Sequence, residues 1–305
     1  MSTRDDAGQR RAWLAGLALA IAGAVFFSAK AVIAKLLYRE GIDAVTLIAL
    51  RMLLSLPVFL AVAAWTWRRQ PRLGARDLGR IALLGLLGYY LSSMLDFLGL
   101  QYVSAGLERL ILFLTPSFVL LIGLFALGRG VSRRQWLSLG FAYAGIVLVF
   151  WHDVNLGGPR VALGSALVAG AAISYAIYLL LSGELIARVG SLRLVALAMT
   201  VSTAACLLQY ALLRPLPGLF AQTLPVWRLS LLNASLCTVL PVFLTMISVG
   251  RIGAGPSAQA GMIGPVSTLF LAWWLLGEPV TPLQLAGTGL VMAGMLLLSL
   301  RQAGR

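Results

Sequence analysis

Apolar residues run through this chain in ten long blocks that short polar segments separate. A lipid-spanning helix needs about 20 mostly apolar residues, which is close to the length of most of these blocks. The pattern therefore predicts an all-α integral membrane protein with ten transmembrane helices. The blocks lie near residues 14–37, 45–66, 81–100, 105–126, 135–151, 161–181, 194–213, 229–249, 254–276 and 283–300.

The composition agrees with a lipid environment. Of the 305 residues, 60% are hydrophobic and 11% are charged. A soluble domain is about half apolar and about a quarter charged. An apolar excess of this size cannot be hidden in one water-soluble core, because such a core must still be covered by a polar surface.

The formal net charge of +14 reflects membrane topology rather than nucleic-acid binding. Lys and Arg accumulate in short cytoplasmic loops, and the basic residues here lie mainly between the apolar blocks. With the N-terminus inside, 16 of the 24 basic residues fall in inner segments and four in outer ones. Both termini are therefore predicted to be cytoplasmic, and no nucleic-acid partner is expected, since no basic patch belongs to a recognisable module.

The chain contains an internal repeat with a constant offset of 149 residues. The matches include Ala105 with Ala254, Pro116 with Pro265, Gly128 with Gly277, Gln135 with Gln284 and Gly145 with Gly294. A unit of five helices crosses the membrane an odd number of times, so the second copy must enter from the opposite side. Inverted repeats of this kind are typical of secondary transporters.

The predicted organisation follows from this repeat. Residues 1–12 form a cytoplasmic N-terminal tail, residues 13–151 form the first repeat with helices 1–5, and residues 160–301 form the second repeat with helices 6–10. The fold class is thus two inverted five-helix repeats.

Six charged residues lie inside apolar blocks of the first repeat, where the second repeat has no equivalents. They are Lys30, Lys35, Arg51, Asp96, Glu108 and Arg109. Charges at membrane depth are costly and mark functional sites by default. The predicted orientation puts all six in the outer half of the membrane, which indicates a polar pocket that opens outward. Its positive excess favours an anionic or zwitterionic substrate group.

Two interpretations of these charges stay open. Lys30 and Arg51 are candidates for substrate binding, whereas Lys35 lies close enough to the interface to snorkel. Asp96, Glu108 and Arg109 serve in proton coupling, or they only pair charges, with the acids neutralising Arg51 and Arg109 to hold helices 2, 3 and 4 together.

Polar and aromatic side chains on helices 3 and 6 extend the candidate site. Tyr89, Ser93, Tyr175 and Tyr178 occur at helical spacing and can line a cavity, with rings for an apolar body and hydroxyls for polar groups. Interhelical hydrogen bonding is the alternative role for the serine.

Pro116 and Pro265 occupy equivalent positions in the two repeats, inside predicted helices 4 and 9. A proline removes one backbone hydrogen bond and kinks its helix. The pair is expected to act as hinges of alternating access or, alternatively, as static kinks that improve packing.

The sequence offers little for catalysis. The only histidine is His152, Cys206 and Cys237 lie within apolar blocks, and no phosphate-binding glycine loop followed by Lys-Ser or Lys-Thr occurs. Most hydrolase mechanisms would lack their base. We therefore expect no enzyme, no catalytic residues, no metal and no cofactor.

Several segments resemble the EamA-type transporters of the drug/metabolite transporter superfamily. They are FFSAKAVIAKLLY (26–38), ALRML (49–53), QYVSAGLERLILFLTPSFVLL (101–121) and PSAQAGMIGPVSTLFLAWWLLGEPVTPLQLAGTGLVMAGMLLL (256–298). The resemblance covers about residues 13–300. One departure is Arg129, which follows Gly128 where the family usually has Gly-Glu, as the second repeat does at Gly277 and Glu278.

The resemblance implies ten helices in two inverted repeats, the bacterial inner membrane, and secondary transport, commonly efflux, of amino acids, metabolites or drugs. The expected partners are a small-molecule substrate, the lipid bilayer and a proton as coupling ion. Two alternatives remain: a membrane-embedded enzyme or lipid-handling protein that uses the same charged pocket, and a scaffold that transports nothing.

Overall fold

A computed structural model describes residues 3–128 and 130–299. Arg129, where the first repeat departs from the family pattern, lies outside this part of the chain. The described α-helices are α1 (Thr3–Arg39), α2 (Ala44–Arg69), α3 (Ala75–Gly85), α4 (Ser92–Leu100), α5 (Ala105–Phe113), α6 (Thr115–Leu127), α7 (Arg133–Gly157), α8 (Arg160–Val189), α9 (Ser191–Leu213), α10 (Leu216–Phe220), α11 (Leu224–Ala234), α12 (Leu240–Ile252), α13 (Ala254–Ala260), α14 (Gly264–Leu271) and α15 (Pro282–Ser299). No strand occurs within the described ranges.

These helices form ten apolar spans. Nine of the described helical segments are long and apolar enough to cross a membrane, and a shorter apolar helix follows them. The ten helices predicted from the apolar blocks are thereby confirmed. In chain order, spans 1 to 10 are Trp13–Arg39, Ala44–Arg69, Ala75–Leu100, Ala105–Ala126, Arg133–Asn155, Arg160–Val189, Ser191–Leu213, Leu224–Ile252, Gly255–Leu276 and Pro282–Leu298.

Spans 3 and 6 are longer than their apolar blocks. Span 3 begins at Ala75 rather than near residue 81, and span 6 ends at Val189 rather than near residue 181. Ion pairs join the two extensions: Arg188 Nη2 lies 2.8 Å from Asp77 Oδ1, and Arg80 Nη1 lies 3.9 Å from Glu184 Oε1. The two apolar blocks end where charged residues begin. The helices continue past these points, and their charged ends form the ion pairs.

The 149-residue offset is visible in the backbone. Gly41 and Gly190 have φ angles of +86° and +80°, and Gly128 and Gly277 have +61° and +70°. Glycine adopts positive φ without a steric penalty, so it ends helices at equivalent places in both repeats.

Helix starts and helix irregularities repeat in the same way. Ser132 and Gln135 form reciprocal side chain to backbone hydrogen bonds at the start of α7, and Thr281 and Gln284 do so at the start of α15. A π-helical turn covers Leu86–Leu91 in span 3 and Ser235–Val239 in span 8.

The spans of the first repeat pack against spans of the second. The pairs are 1 with 8 and 9, 2 with 7 and 8, 3 with 6 and 7, 4 with 6 and 9, and 5 with 10. Exchanging the two repeats leaves this set of pairs unchanged, as two inverted five-helix units require. Spans 5 and 10 pack side by side, and the remaining spans surround a cavity.

Glycines allow the backbones of spans 5 and 10 to approach closely. A Cβ atom on Gly145 would lie 2.5 Å from the carbonyl oxygen of Gly287. A Cβ atom on Gly140, on the same helix, would meet no atom within 4 Å. Gly145 is thus required by packing within the chain, whereas Gly140 is not.

This difference gives a matched test of the packing. Gly145→Ala is expected to lower the thermal unfolding midpoint in detergent, because overpacking a tight contact costs about 1–3 kcal/mol. Gly140→Ala is expected to match or exceed the wild type, because alanine is about 1 kcal/mol better than glycine inside a helix. Equal midpoints for the two variants would contradict the close contact between spans 5 and 10.

Candidate functional site

A buried cavity of about 230 Å³ lies between the two repeats. Spans 1, 2, 3, 4, 6, 7 and 8 contribute its lining. Seven candidate residues from the sequence line it: Lys30, Arg51, Tyr89, Ser93, Asp96, Arg109 and Tyr175. Packing therefore brings together most of the residues that the charge and hydroxyl patterns selected.

Lys30 is the centre of an ion triad with two acids. Its ammonium group contacts Asp96 Oδ2, and Glu108 Oε1 lies 3.1 Å away. Lys30 and Asp96 are each 4% exposed, and Glu108 is completely buried. The triad joins spans 1, 3 and 4. Pairing of the two acids with Arg51 and Arg109 was one of the two interpretations that the sequence left open, but in the structure both acids pair with Lys30 instead.

The triad can form because consecutive helices run in opposite directions. Lys30 and Asp96 lie in the C-terminal halves of spans 1 and 3, whereas Arg51 and Glu108 lie in the N-terminal halves of spans 2 and 4. All four therefore reach the same end of the helix bundle, which we call the charged end. Each of the four is a candidate because it is a charged residue at membrane depth, and in the structure all four lie at the same level of the helix bundle.

Arg51 is held by a hydroxyl and a ring. Its Nε donates a 2.7 Å hydrogen bond to Thr238 Oγ1, and its guanidinium carbon lies 5.2 Å from the centre of the Phe97 ring. The side chain is 6% exposed and lines the cavity. Thr238 belongs to the π-helical turn of span 8, so this irregularity presents a polar group to the site.

Arg109 lies against a ring and a glycine. Its guanidinium carbon is 5.0 Å from the centre of the Phe27 ring, and a Cβ atom on Gly264 would collide with the guanidinium group. Arg109 is 8% exposed, and its Nε has no hydrogen-bond partner among the described residues. Any larger residue at position 264 would require the guanidinium group to move.

The charged end is tied shut by contacts between the two repeats. Arg39 Nη2 donates a 2.7 Å hydrogen bond to the carbonyl of Leu276, and Arg214 Nη2 lies 2.6 Å from Asp43 Oδ2. Partial burial acts to raise the pKa of Asp43, but hydrogen bonds from Thr46 and Arg214 outweigh it and lower that pKa below its usual value.

Glu278 adds a further tie at this end. Its Oε2 accepts a 3.1 Å hydrogen bond from the backbone nitrogen of Ala105, and its Oε1 lies 3.5 Å from Lys35 Nζ. The acid that the second repeat keeps in its Gly-Glu turn thus caps α5 in the first repeat. Lys35, which was expected to snorkel, takes part in an ion pair.

A second cavity of about 450 Å³ continues from the first and shares Phe27, Tyr89 and Arg109 with it. It extends along Ala20 of span 1 and Val249 of span 8, away from the charged end. The charge pattern of the sequence predicts a pocket that opens outward at the level of the charges. The structure corrects this expectation, because the charged end is tied and the cavities extend toward the end at which span 1 begins.

Three tyrosines stand where the two cavities meet. The hydroxyls of Tyr89 and Tyr178 are 3.1 Å apart, and the rings of Tyr175 and Tyr178 stack with centres separated by 5.3 Å. Tyr89 and Tyr175 line both cavities, while Tyr178 lines only the second. Ser93 lines the first cavity, and its neighbour Ser92 bonds the carbonyl of Ala171 in span 6.

The two prolines coincide with helix breaks. Pro116 lies in the first turn of α6, just after the break at Leu114, and the hydroxyl of Thr115 donates a 2.7 Å hydrogen bond to Leu112, the carbonyl that the proline leaves without its usual partner. Pro265 lies in the first turn of α14, after the short 3₁₀ segment Gly261–Ile263. Each predicted kink is therefore an interruption of the helix.

Some contributors to the site were missed by the sequence reasoning. Phe27 and Phe97 supply the rings over which the cations lie, and Thr238 holds Arg51. The repeat itself carried the signal for the threonine, because Thr238 stands 149 residues after Tyr89 and both line the cavity.

Comparisons with known proteins agree with this architecture. The model of the EamA-like transporter family matches residues 14–151 and 162–300. A solved crystal structure superposes with a TM-score of 0.64 at 16% sequence identity, covering 93% of this chain and 96% of that chain. At that identity the likeness concerns the fold alone.

Two curated relatives are similar over most of their length. "Uncharacterized transporter YcbK" of Bacillus subtilis (strain 168) is 31% identical, with 95% of this chain and 96% of the relative covered. The "Probable terminal-alkyne amino-acid exporter" of Streptantibioticus cattleyicolor is 30% identical, with 88% of this chain and 89% of the relative covered.

A third relative is more distant. The "Probable amino-acid metabolite efflux pump" of Salmonella typhimurium is 26% identical, with 71% of this chain and 76% of the relative covered. A family match in two copies, ten apolar spans and a cavity between the copies lead to one conclusion: the chain belongs to the EamA-like transporter family of the drug/metabolite transporter superfamily and is a multi-pass membrane protein.

Proposed function

We propose that this protein is a secondary active transporter that exports small metabolites, amino-acid-like compounds or drugs across the bacterial inner membrane by alternating access. The observation that carries the proposal is the charged cavity between the two repeats, tied at one end and continued toward the other. A substrate site between inverted repeats, reached from one side at a time, is the arrangement that alternating access requires. The exporter names of two relatives support the direction.

The distribution of basic residues supports a cytoplasmic location for both termini. In that orientation the cavities extend toward the cytoplasm, and the ties at the charged end close the outer side. This conformation would load a substrate from the cytoplasm, as an exporter must.

The lining residues receive distinct roles in this proposal. Arg51, Tyr89, Ser93 and Tyr175 contact the substrate, with Arg109 added because its guanidinium also faces the cavity. Tyr178 positions Tyr89 through their hydroxyl contact.

Lys30 also lines the cavity, but the two acids engage its ammonium group. We therefore assign the triad of Lys30, Asp96 and Glu108 to coupling, with Glu108 as the group that takes up a proton. A buried carboxylate that shares its cation with a second acid is costly while charged, so its protonation can be linked to a change of conformation.

The helix breaks at Pro116 and Pro265 are the proposed hinges. The carbonyl of Gly264, next to Pro265, accepts a 3.0 Å hydrogen bond from Ser28 Oγ in span 1, and Gly264 also contacts Arg109. A movement at this break would therefore also displace Ser28 or Arg109. Hinges commonly lie at the ends of helical elements, where few residues absorb the change of backbone angle.

Counterflow into reconstituted vesicles tests the transport proposal directly. Vesicles loaded with a mixture of unlabelled metabolites are expected to accumulate at least one labelled member of that mixture. Ser93→Trp is expected to abolish this uptake, because the indole would fill the cavity. Leu137→Trp is the matched control, since Leu137 lies on the outer surface and is 63% exposed.

Three results would count against the proposal. They are the absence of uptake for every metabolite by correctly folded protein, equal uptake by the Ser93→Trp variant and the wild type, and recovery of a solute in chemically altered form. The last result would instead favour a membrane-embedded enzyme.

A further inference from the structure

The two guanidinium groups of the cavity have no carboxylate partner among the described residues. Asp96 and Glu108 are the acids closest to them, and both are engaged by Lys30. Arg51 instead bonds a threonine hydroxyl, and Arg109 has an Nε without any partner. Together with the triad, the site holds three cations and two carboxylates, so it keeps a positive excess, and its two guanidinium groups have no ion-pair partner.

Aromatic rings offset only part of the cost of burying these two cations. The guanidinium carbons lie 5.2 Å and 5.0 Å from the ring centres of Phe97 and Phe27, within the range of cation–π attraction. This attraction is weaker than the penalty for holding an arginine at membrane depth, so the site still favours an added negative charge.

An ammonium group of a substrate would find no free acid in this cavity. Glu108 is completely buried and does not line the cavity, and Asp96 contacts Lys30. The remaining polar lining consists of hydroxyls of serine, threonine and tyrosine. Two guanidinium groups and no free carboxylate make the site asymmetric in charge, because it has donors for an anion and no ion-pair partner for a cation.

The rest of the lining is apolar. Leu112, Phe113 and Met199 face the cavity beside the rings of Tyr89 and Tyr175. Such a surface suits an aliphatic or aromatic body whose burial removes apolar area from water.

On this basis, and resting on the transport proposed above, we propose that the substrates are small amphipathic organic anions. The acidic group binds to the guanidinium groups of Arg51 and Arg109, and the apolar body lies against Tyr89, Tyr175 and Phe113. An amino group on the substrate is not recognised. The protein thus selects organic acids over the zwitterionic amino acids of the same skeleton and rejects amines.

A set of four ligands with one phenyl-containing skeleton tests this selectivity. At pH 7, 3-phenylpropionate is an anion, phenylalanine a zwitterion, phenethylamine a cation and 3-phenylpropanol neutral. Each is added to the purified full chain in detergent, and the shift of the thermal unfolding midpoint is measured against ligand concentration. We expect 3-phenylpropionate to bind at least about tenfold more tightly than the alcohol and the zwitterion, and the amine to cause no shift.

Arginine variants assign the effect to the proposed residues. Arg51→Gln and Arg109→Gln are each expected to weaken binding of 3-phenylpropionate at least about tenfold while leaving the weak binding of the alcohol unchanged. Arg51→Lys and Arg109→Lys, which keep the charge, are expected to retain part of the affinity and guard against loss of folding. Arg228→Gln, at an exposed position, is the control and should bind as the wild type does.

The results separate this inference from the proposed function. Tighter binding of phenylalanine or phenethylamine than of 3-phenylpropionate would overturn the inference, and so would equal binding of all four ligands. A flat response to all four by protein that shows counterflow of some other solute would overturn it while leaving the transport proposal intact. Selective binding of the anion without any flux would support the inference and refute transport.

Discussion

Replacing Lys30 by methionine is expected to remove most of the folded protein from the membrane. Methionine preserves the volume of the side chain but leaves Asp96 and Glu108 as two buried carboxylates without their ion-pair partner. Breaking a buried ion pair by removing one partner typically costs about 3–5 kcal/mol. Since total stabilities are about 5–15 kcal/mol, a loss of this size greatly reduces the yield of folded protein.

The measurement is the amount of monodisperse protein after extraction in mild detergent, together with its thermal unfolding midpoint. Lys35→Met is the matched control. Lys35 pairs with Glu278 at 3.5 Å, but both side chains are 22% exposed, so loss of this pair is expected to cost about 1 kcal/mol or less.

A triple variant separates lost charge balance from lost packing. Lys30→Met combined with Asp96→Asn and Glu108→Gln leaves no unpaired charge in the triad, and buried ion groups can be replaced by neutral ones at little cost in stability. The triple variant is expected to recover much of the folded yield. A normal yield for Lys30→Met alone would show that the triad does not stabilise the fold.

The fold could be predicted from the sequence because its signals are local or periodic. Ten apolar blocks predict ten spans, and one constant offset predicts the inverted repeat. The same offset relates the helix caps of the two repeats: Ser132 pairs with Gln135 as Thr281 pairs with Gln284, and the match of the two glutamines is visible in the sequence. The ends of spans 3 and 6 were misjudged because their terminal turns carry charged residues, which lower the hydropathy of segments that are still helical; span 6 continues until Gly190.

The membership of the site could be predicted as well, because buried charges in a membrane protein gather in a few places. Which of these charged residues pair with one another could not be predicted. Lys30 and Asp96 are 66 residues apart, and their contact depends on how spans 1 and 3 are rotated about their axes. A rotation of one residue step would turn either side chain by about 100° and would change its partner.

The direction in which the cavity opens could not be predicted from the sequence either. The same residues must line the site in both states of an alternating-access protein, so composition carries no information about which end is tied. The contacts of Arg39, Asp43 and Glu278 at the charged end decide this question for the present conformation.

The largest expected effect on transport concerns Glu108. It is completely buried, neither of its carboxylate oxygens accepts a hydrogen bond from the described residues, and its ion pair is shared with Asp96 through Lys30. Lys30 pairs with both acids but can balance only one of their negative charges, and Arg109 forms no ion pair with Glu108, so protonation of Glu108 removes the charge that the triad itself does not balance. A change of conformation that exposes the triad to the other side would then release or accept this proton.

Glu108→Gln fixes the neutral form of this side chain. With the loss of the exchangeable proton, a pH gradient across the vesicle membrane is expected to drive no accumulation of substrate, whereas the wild type accumulates it severalfold or more. Exchange of labelled for unlabelled substrate without a gradient should persist, because it requires no net movement of protons. Asp96→Asn is the informative comparison: Asp96 lines the cavity and contacts Lys30, so its loss is expected to impair exchange as well. Accumulation by Glu108→Gln equal to that of the wild type under the same gradient would remove Glu108 from the coupling step and leave it a structural partner of Lys30.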